Sequence, residues 1–131
     1  MAIKKQNLSD FNADSIPHIN TKGLQIAIVT AEWNSEITFS MEKACIETLQ
    51  QYGIDKNSIF VQKVAGSFEL PFAAQQLILN KNIDAVICVN LPYQSIMVGY
   101  KLKKEFPNIK FIPYFLDALA GGIDDRMLSK K

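Results

Sequence analysis

Four runs of apolar, largely β-branched residues recur along the chain, at Leu24 to Thr30, Ile59 to Ala65, Asp84 to Asn90 and Ile109 to Leu116. Such runs are strand signals, and the segments between them carry helical rather than alternating periodicity. Strands alternating with helices build βαβ units around a parallel sheet, so the expected class is α/β. Near-continuous apolarity in the first, third and fourth runs predicts strands covered on both faces, as strands between two helix layers are.

Between the first two strands, Ile37, Met41, Ala44, Cys45, Leu49 and Tyr52 share one face at helical spacing, with Glu36, Lys43, Glu47 and Gln50 elsewhere. Gly53 is suited to end this helix, because glycine accepts the left-handed position past the last turn. The next helix is predicted to start near Ser67 and to bury Leu70, Ala73, Ala74, Leu77 and Ile78, with Pro71 tolerated in its first turn. Each helix also carries a second apolar line seven residues apart, Phe39 with Ile46 and Phe72 with Leu79. A repeated line of this kind predicts an interface between copies of the chain, against the competing reading of scattered surface apolar residues.

Composition narrows the partners. The 131 residues suit one domain, and 48% apolar with 21% charged is a globular balance. Fourteen basic against 13 acidic residues leave no broad positive field, so nucleic acid is not an expected partner. Residues 1 to 22 are polar and read as an extended arm, the rest as a single α/β domain; neither a secretory leader nor a run of about 20 apolar residues is apparent, which predicts a cytoplasmic protein without a membrane partner. Cys45 and Cys88 lack CxxC spacing and sit in apolar segments, reading as reduced core thiols. With one histidine and no CxxC pair, the residues do not suggest a metal site.

Ligands of parallel α/β sheets collect outside the carboxyl ends of the strands. Two polar clusters fall there: Glu32, Trp33, Asn34 and Ser35 after the first strand, and Gly66, Ser67, Phe68, Glu69 and Leu70 after the second. An aromatic ring followed by an amide suits a flat heterocycle, which can be stacked and hydrogen-bonded. In the second cluster glycine permits close backbone approach, Ser67 offers a hydroxyl and Glu69 a carboxylate near a helix N-terminus. Partial burial of the tryptophan and a simple dipole role for the glutamate would explain the same residues without a ligand.

The run Ile26-Ala-Ile-Val-Thr-Ala-Glu-Trp-Asn-Ser-Glu-Ile-Thr38, followed by Val64-Ala-Gly-Ser-Phe-Glu-Leu-Pro71, resembles the two N-terminal signatures of the lumazine synthases. Asn7 to Asp10 and Ser15 to Pro17 are similar to the arm that precedes them in some bacterial members, so the resemblance covers residues 7 to about 89. It implies a three-layer, flavodoxin-like fold with a four-stranded parallel sheet and helices on both faces. It further implies condensation of 5-amino-6-ribitylaminouracil with 3,4-dihydroxy-2-butanone 4-phosphate to 6,7-dimethyl-8-ribityllumazine, the penultimate step of riboflavin synthesis. Trp33 would stack on the pyrimidine with Asn34 beside it, while Gly66, Ser67, Phe68 through its backbone and Glu69 would hold the ribityl chain. Pentamer-based assembly, with sites between neighbouring subunits, is implied as well, and so is a reaction that needs no metal or organic cofactor.

Past the third strand the chain departs from that family. Its glycine-rich phosphate loop and proton-carrying histidine are replaced by Asn90-Leu-Pro-Tyr-Gln-Ser-Ile-Met-Val-Gly-Tyr100, and the only histidine is His18, in the arm. No catalytic residue is therefore identified. Residues 91 to about 122 resemble instead the acceptor domain of a two-domain bacterial glycosyltransferase, and the C-terminal part reads as truncated or atypical. Lys101, Lys103, Lys104 and Lys110 read as a solvated face rather than a phosphate site. Beside the enzyme stand two alternatives: a non-catalytic ligand-binding or assembly subunit, and a rearranged product joining two α/β proteins at the third strand.

Overall fold

A computed structural model describes residues 20–89 and 94–114. In chain order it comprises β1 (Ile26–Ala31), α1 (Ser35–Gln51), a short 3-10 turn at Lys56–Ser58, β2 (Ile59–Val64), α2 (Leu70–Asn80), β3 (Ala85–Val89), α3 (Gln94–Glu105) and β4 (Lys110–Tyr114). All strand pairs are parallel and the order is β2-β1-β3-β4, a doubly wound, flavodoxin-like arrangement. The strand order reverses between β1 and β3, and because the strands are all parallel the loops leaving β1 and β2 emerge at one end of the sheet.

Two apolar layers hold the sheet. Alternate residues of β1 and β3, Ala27, Val29, Val86 and Cys88, pack with Leu70, Ala73 and Ala74 of α2 and Val98 and Leu102 of α3. The opposite residues, Ile26, Ile28, Ala85, Ile87 and Val89, pack with Met41 of α1. Every residue of β1 and β3 is buried, as expected for central parallel strands.

The fourth strand departs from its expectation. Ile112 is 48% exposed and Pro113 is also exposed, because β4 forms an edge and α1 is the only described helix on the Ile112 side of the sheet. Proline within an edge strand removes no bond that an inner ladder would need. Close packing is nevertheless present on the other face of β4: a Cβ on Gly99 of α3 would overlap the Phe111 ring.

Two helix details also differ from the sequence reading. α1 turns Thr38, Met41 and Glu42 into the core, while Ile37 and Ala44 are exposed. Ile46, expected on a second outward line, packs against the core with Cys45 and Leu49, and Phe39 is half-buried beneath the Lys63 ammonium, 3.9 Å from the ring centroid. α2 begins at Leu70 rather than near Ser67, since residues Ser67 to Glu69 form a turn before it. Its outward line is as expected, with Phe72 and Leu79 both largely exposed. Gly53, at φ 89, directly follows Tyr52, the C-cap of α1, and so ends the helix as predicted. Residues 1 to 19, with most of the expected arm and His18, residues 90 to 93 and the chain after Tyr114 lie outside the described residues.

Candidate functional site

The two polar clusters meet at the carboxyl ends of adjacent strands. β1 and β2 are paired up to Ala31 and Val64, and the next amide, Glu32 N–H, donates to Val64 O at 2.7 Å, tying the two departing loops together. One loop then presents Glu32, Trp33 and Asn34, all exposed, before α1 starts at Ser35. Trp33 is 63% exposed, so its indole is not the partial core residue that a tryptophan at a strand end can be. Asn34 precedes the helix in left-handed backbone, φ 57 and ψ 46, and its side chain makes no cap bond, leaving the amide group uncommitted.

The second loop runs from Ala65 through Glu69. Gly66 N–H donates to Glu69 Oε2 at 3.0 Å, closing the turn before α2. That bond fixes the carboxylate beside the helix start, where the dipole favours its charge. Ser67 is half-buried, and Phe68 stands out at 95% exposure, a position no isolated aromatic side chain gains by adopting. A groove of about 530 Å³ runs from Glu69 between β2 and α2, lined by Val64, Ala65, Phe72, Leu77 and Gln76 among others. Trp33 does not line it. The expected residues therefore share one end of the sheet without being enclosed in a common cavity.

Sequence reasoning missed the polar residues beneath this end of the sheet. Thr38 is fully buried, and its Oγ1 donates to Ala31 O at 2.7 Å. One turn further, Glu42 is 8% exposed and lies 3.7 Å from Lys63 Nζ, with Oε2 left without a partner. Spacing carried a faint signal: Thr38 and Glu42 lie four apart, one position from Met41, on a line that is buried once the helix turns slightly from its most apolar face.

Both thiols are free, Cys88 buried and Cys45 half-buried. Burial pushes the Cys88 thiol up to about 12, and burial together with the nearby Glu42 carboxylate pushes Cys45 up to about 11. Among the described residues no cluster of His, Cys, Asp and Glu could hold a metal ion, and no helix is long and apolar enough to cross a membrane. Lys103 is occupied at the end of α3, donating to the carbonyls of Pro107 and Ile109.

The 6,7-dimethyl-8-ribityllumazine synthase family model matches residues 23–91, a span holding both loops. The chain is 40% identical over 89 residues to 6,7-dimethyl-8-ribityllumazine synthase of Phocaeicola vulgatus, covering 68% of this chain and 52% of that protein. With the Porphyromonas gingivalis enzyme of the same name the figures are 42% over 89 residues, 68% and 54%. Similarity to the Flavobacterium psychrophilum synthase, 36% over 125 residues, extends across 95% of this chain and 59% of that protein. The chain spans about half the length of the first two relatives. With the family model matched over more than half of its residues, this chain belongs to the lumazine synthase family.

Proposed function

We propose that this chain supplies the pyrimidine- and ribityl-binding half of a lumazine synthase site, formed by Trp33, Asn34, Gly66, Ser67, Phe68 and Glu69. The observation that carries it is the convergence of both loops on the carboxyl ends of β1 and β2, joined by the Glu32–Val64 bond. In this reading the indole of Trp33 stacks on the uracil of 5-amino-6-ribitylaminouracil. The Asn34 amide, which caps nothing, pairs with the heterocycle edge, while Ser67 Oγ, the Phe68 backbone and the Glu69 carboxylate bind ribityl hydroxyls.

The partner substrate is 3,4-dihydroxy-2-butanone 4-phosphate. The 5-amine adds to its ketone and loses water to give a Schiff base; removal of a proton from the neighbouring carbon expels phosphate and leaves an enol that tautomerises to a second carbonyl; the ribitylamine nitrogen attacks that carbonyl and loses a second water, closing the ring to 6,7-dimethyl-8-ribityllumazine. Holding both reactants side by side accelerates such a condensation by removing the entropic cost of their meeting. Proton transfer needs a general acid/base, whose loss typically lowers rates about 100- to 10,000-fold, and the single histidine of the sequence, His18, is not one of the site residues proposed above.

Assembly belongs to the same proposal. Phe68, Phe72 and Leu79 are exposed, and the groove beside Glu69 is open, which suits a neighbouring subunit completing the site as in a pentamer. Because the reading is of a riboflavin-synthesis enzyme, we assign it to the cytoplasm.

The test is lumazine formation by purified protein from the two substrates, against the uncatalysed background and with Glu69→Ala beside it. A rate above background that Glu69→Ala abolishes supports the enzyme. Saturable binding of the pyrimidine without turnover supports the second reading, a ligand-binding or assembly subunit, which the replaced segment from Asn90 to Tyr100 favours. Neither binding nor turnover would sink both.

A further inference from the structure

The loop carrying Trp33 and Asn34 is held from beneath rather than by its own cap. An asparagine before a helix ordinarily has extended backbone and accepts from first-turn amides through its side chain. Asn34 does neither: its backbone is left-handed, its side chain makes no cap bond, and its carbonyl instead accepts from Ile37 and Thr38 N–H at 2.9 and 3.1 Å. Asparagine is among the few side chains that tolerate this conformation, but it still costs free energy that the surroundings must offset.

Thr38 is the side chain that spans the turn. Its hydroxyl is fully buried, 2.7 Å from Ala31 O and 3.4 Å from Asn34 O. A hydroxyl has one proton, and the shorter contact takes it. The bond to Ala31 ties the last residue of β1 to the first turn of α1 across Glu32, Trp33 and Asn34, the three exposed residues between them. With the turn fixed from the core side, the Asn34 amide is free to face a ligand, and the indole is carried on a short loop anchored at both ends.

We infer that Thr38 is the positioning residue of the site, acting through the loop and never touching substrate. The inference rests on the stacking and pairing roles proposed for Trp33 and Asn34. Threonine is required there for its hydroxyl: valine has the same shape and lacks the bond, whereas serine retains it.

Trp33 is the only tryptophan, so its fluorescence reports the loop without a label. Wild type, Thr38→Val and Thr38→Ser are compared for Trp33 anisotropy without ligand, for affinity toward 5-amino-6-ribitylaminouracil, and for melting temperature. Thr38→Val is expected to lower the anisotropy at temperatures well below melting and to weaken binding about tenfold, equivalent to about 1.4 kcal/mol. Thr38→Ser should restore both to within about twofold, a margin under 0.5 kcal/mol. A purely structural role would lower the melting temperature alone. Should the valine variant not fold, Thr38→Ala, which adds no bulk, gives the same reading. Anisotropy and affinity at wild-type values in the hydroxyl-free variant overturn the inference, as does failure of serine to restore them. If wild type itself does not bind the pyrimidine, the ligand role falls together with the proposed function, while ligand-free anisotropy still decides whether Thr38 holds the loop.

Discussion

The first strand–helix–strand unit, β1–α1–β2, and the second, β3–α3–β4, share a sheet but do different things at its carboxyl end. In the first, β1 is buried along its whole length and its exit carries exposed Trp33 and Asn34 over a buried threonine. In the second, β3 is equally buried, and the family model's match ends just past it, at residue 91. Strand pairing continues past that limit: β1 pairs with β3, and β3 with β4, over five residues each. What a parallel sheet demands is an apolar run of suitable length followed by a helix that covers it. Chemistry at the strand ends is a separate requirement, and a chain can meet the first without the second.

Substitutions can break this comparison or sharpen it. The largest effect is expected in the core common to both units: Leu70→Ala, at a fully buried side chain between the sheet and α2, should cost about 2–5 kcal/mol in urea unfolding. A biphasic transition in that variant would mean the two units are not one cooperative body. Next comes the packing of the second unit alone. Gly99→Ala sets a methyl into the Phe111 ring and should cost about 1–3 kcal/mol, with Phe111→Leu recovering part of it; a neutral result would mean α3 sits loosely on β4 and that the second unit is a poorer scaffold than the first.

Smaller still is the effect of the first unit's loop on stability. Trp33→Ala should alter unfolding by no more than about 0.5 kcal/mol, as expected for an exposed side chain, while weakening pyrimidine binding at least about tenfold. Equal losses in both would make Trp33 a structural residue. The smallest effect concerns pH. Both thiols hold their protons higher in the folded chain, Cys45 to about 11 and Cys88 to about 12 against 9.0 for a free thiol. A raised folded-state value means that the contribution is fully present below pH 9 and is lost as pH rises toward 11 and 12, because the unfolded chain releases its protons first. Disulfide reagents at pH 8 should therefore modify both cysteines slowly in the folded protein and rapidly in urea. Fast labelling of Cys88 in the folded state would show the sheet centre to be open.

Strand positions were legible because three of the four runs are nearly all apolar, and burial on both faces of β1 and β3 requires that. Edge status of β4 was not, since Ile112 and Pro113 look no different in sequence from covered residues until the neighbours are counted. The core face of α1 was legible at Met41, Cys45 and Leu49 but not at its edge, because apolar periodicity weights Ile37 and Ala44 above Thr38 and Glu42, whereas burial follows geometry and tolerates a threonine that finds a carbonyl. Site loops could be placed from the strand-end rule and the two family signatures. Their support from Thr38 could not, because nothing in the spacing says that Asn34 would turn left-handed and leave its own cap unmade.

The central claim is that the Trp33 and Glu69 loops form a pocket for a ribityl-substituted pyrimidine, and titration calorimetry with 5-amino-6-ribitylaminouracil tests it most directly. Saturable binding by wild type, weakened at least about tenfold by Trp33→Ala and by Glu69→Ala, is the predicted result. No binding by a correctly folded, assembled wild type, or equal affinity in both variants, would contradict it.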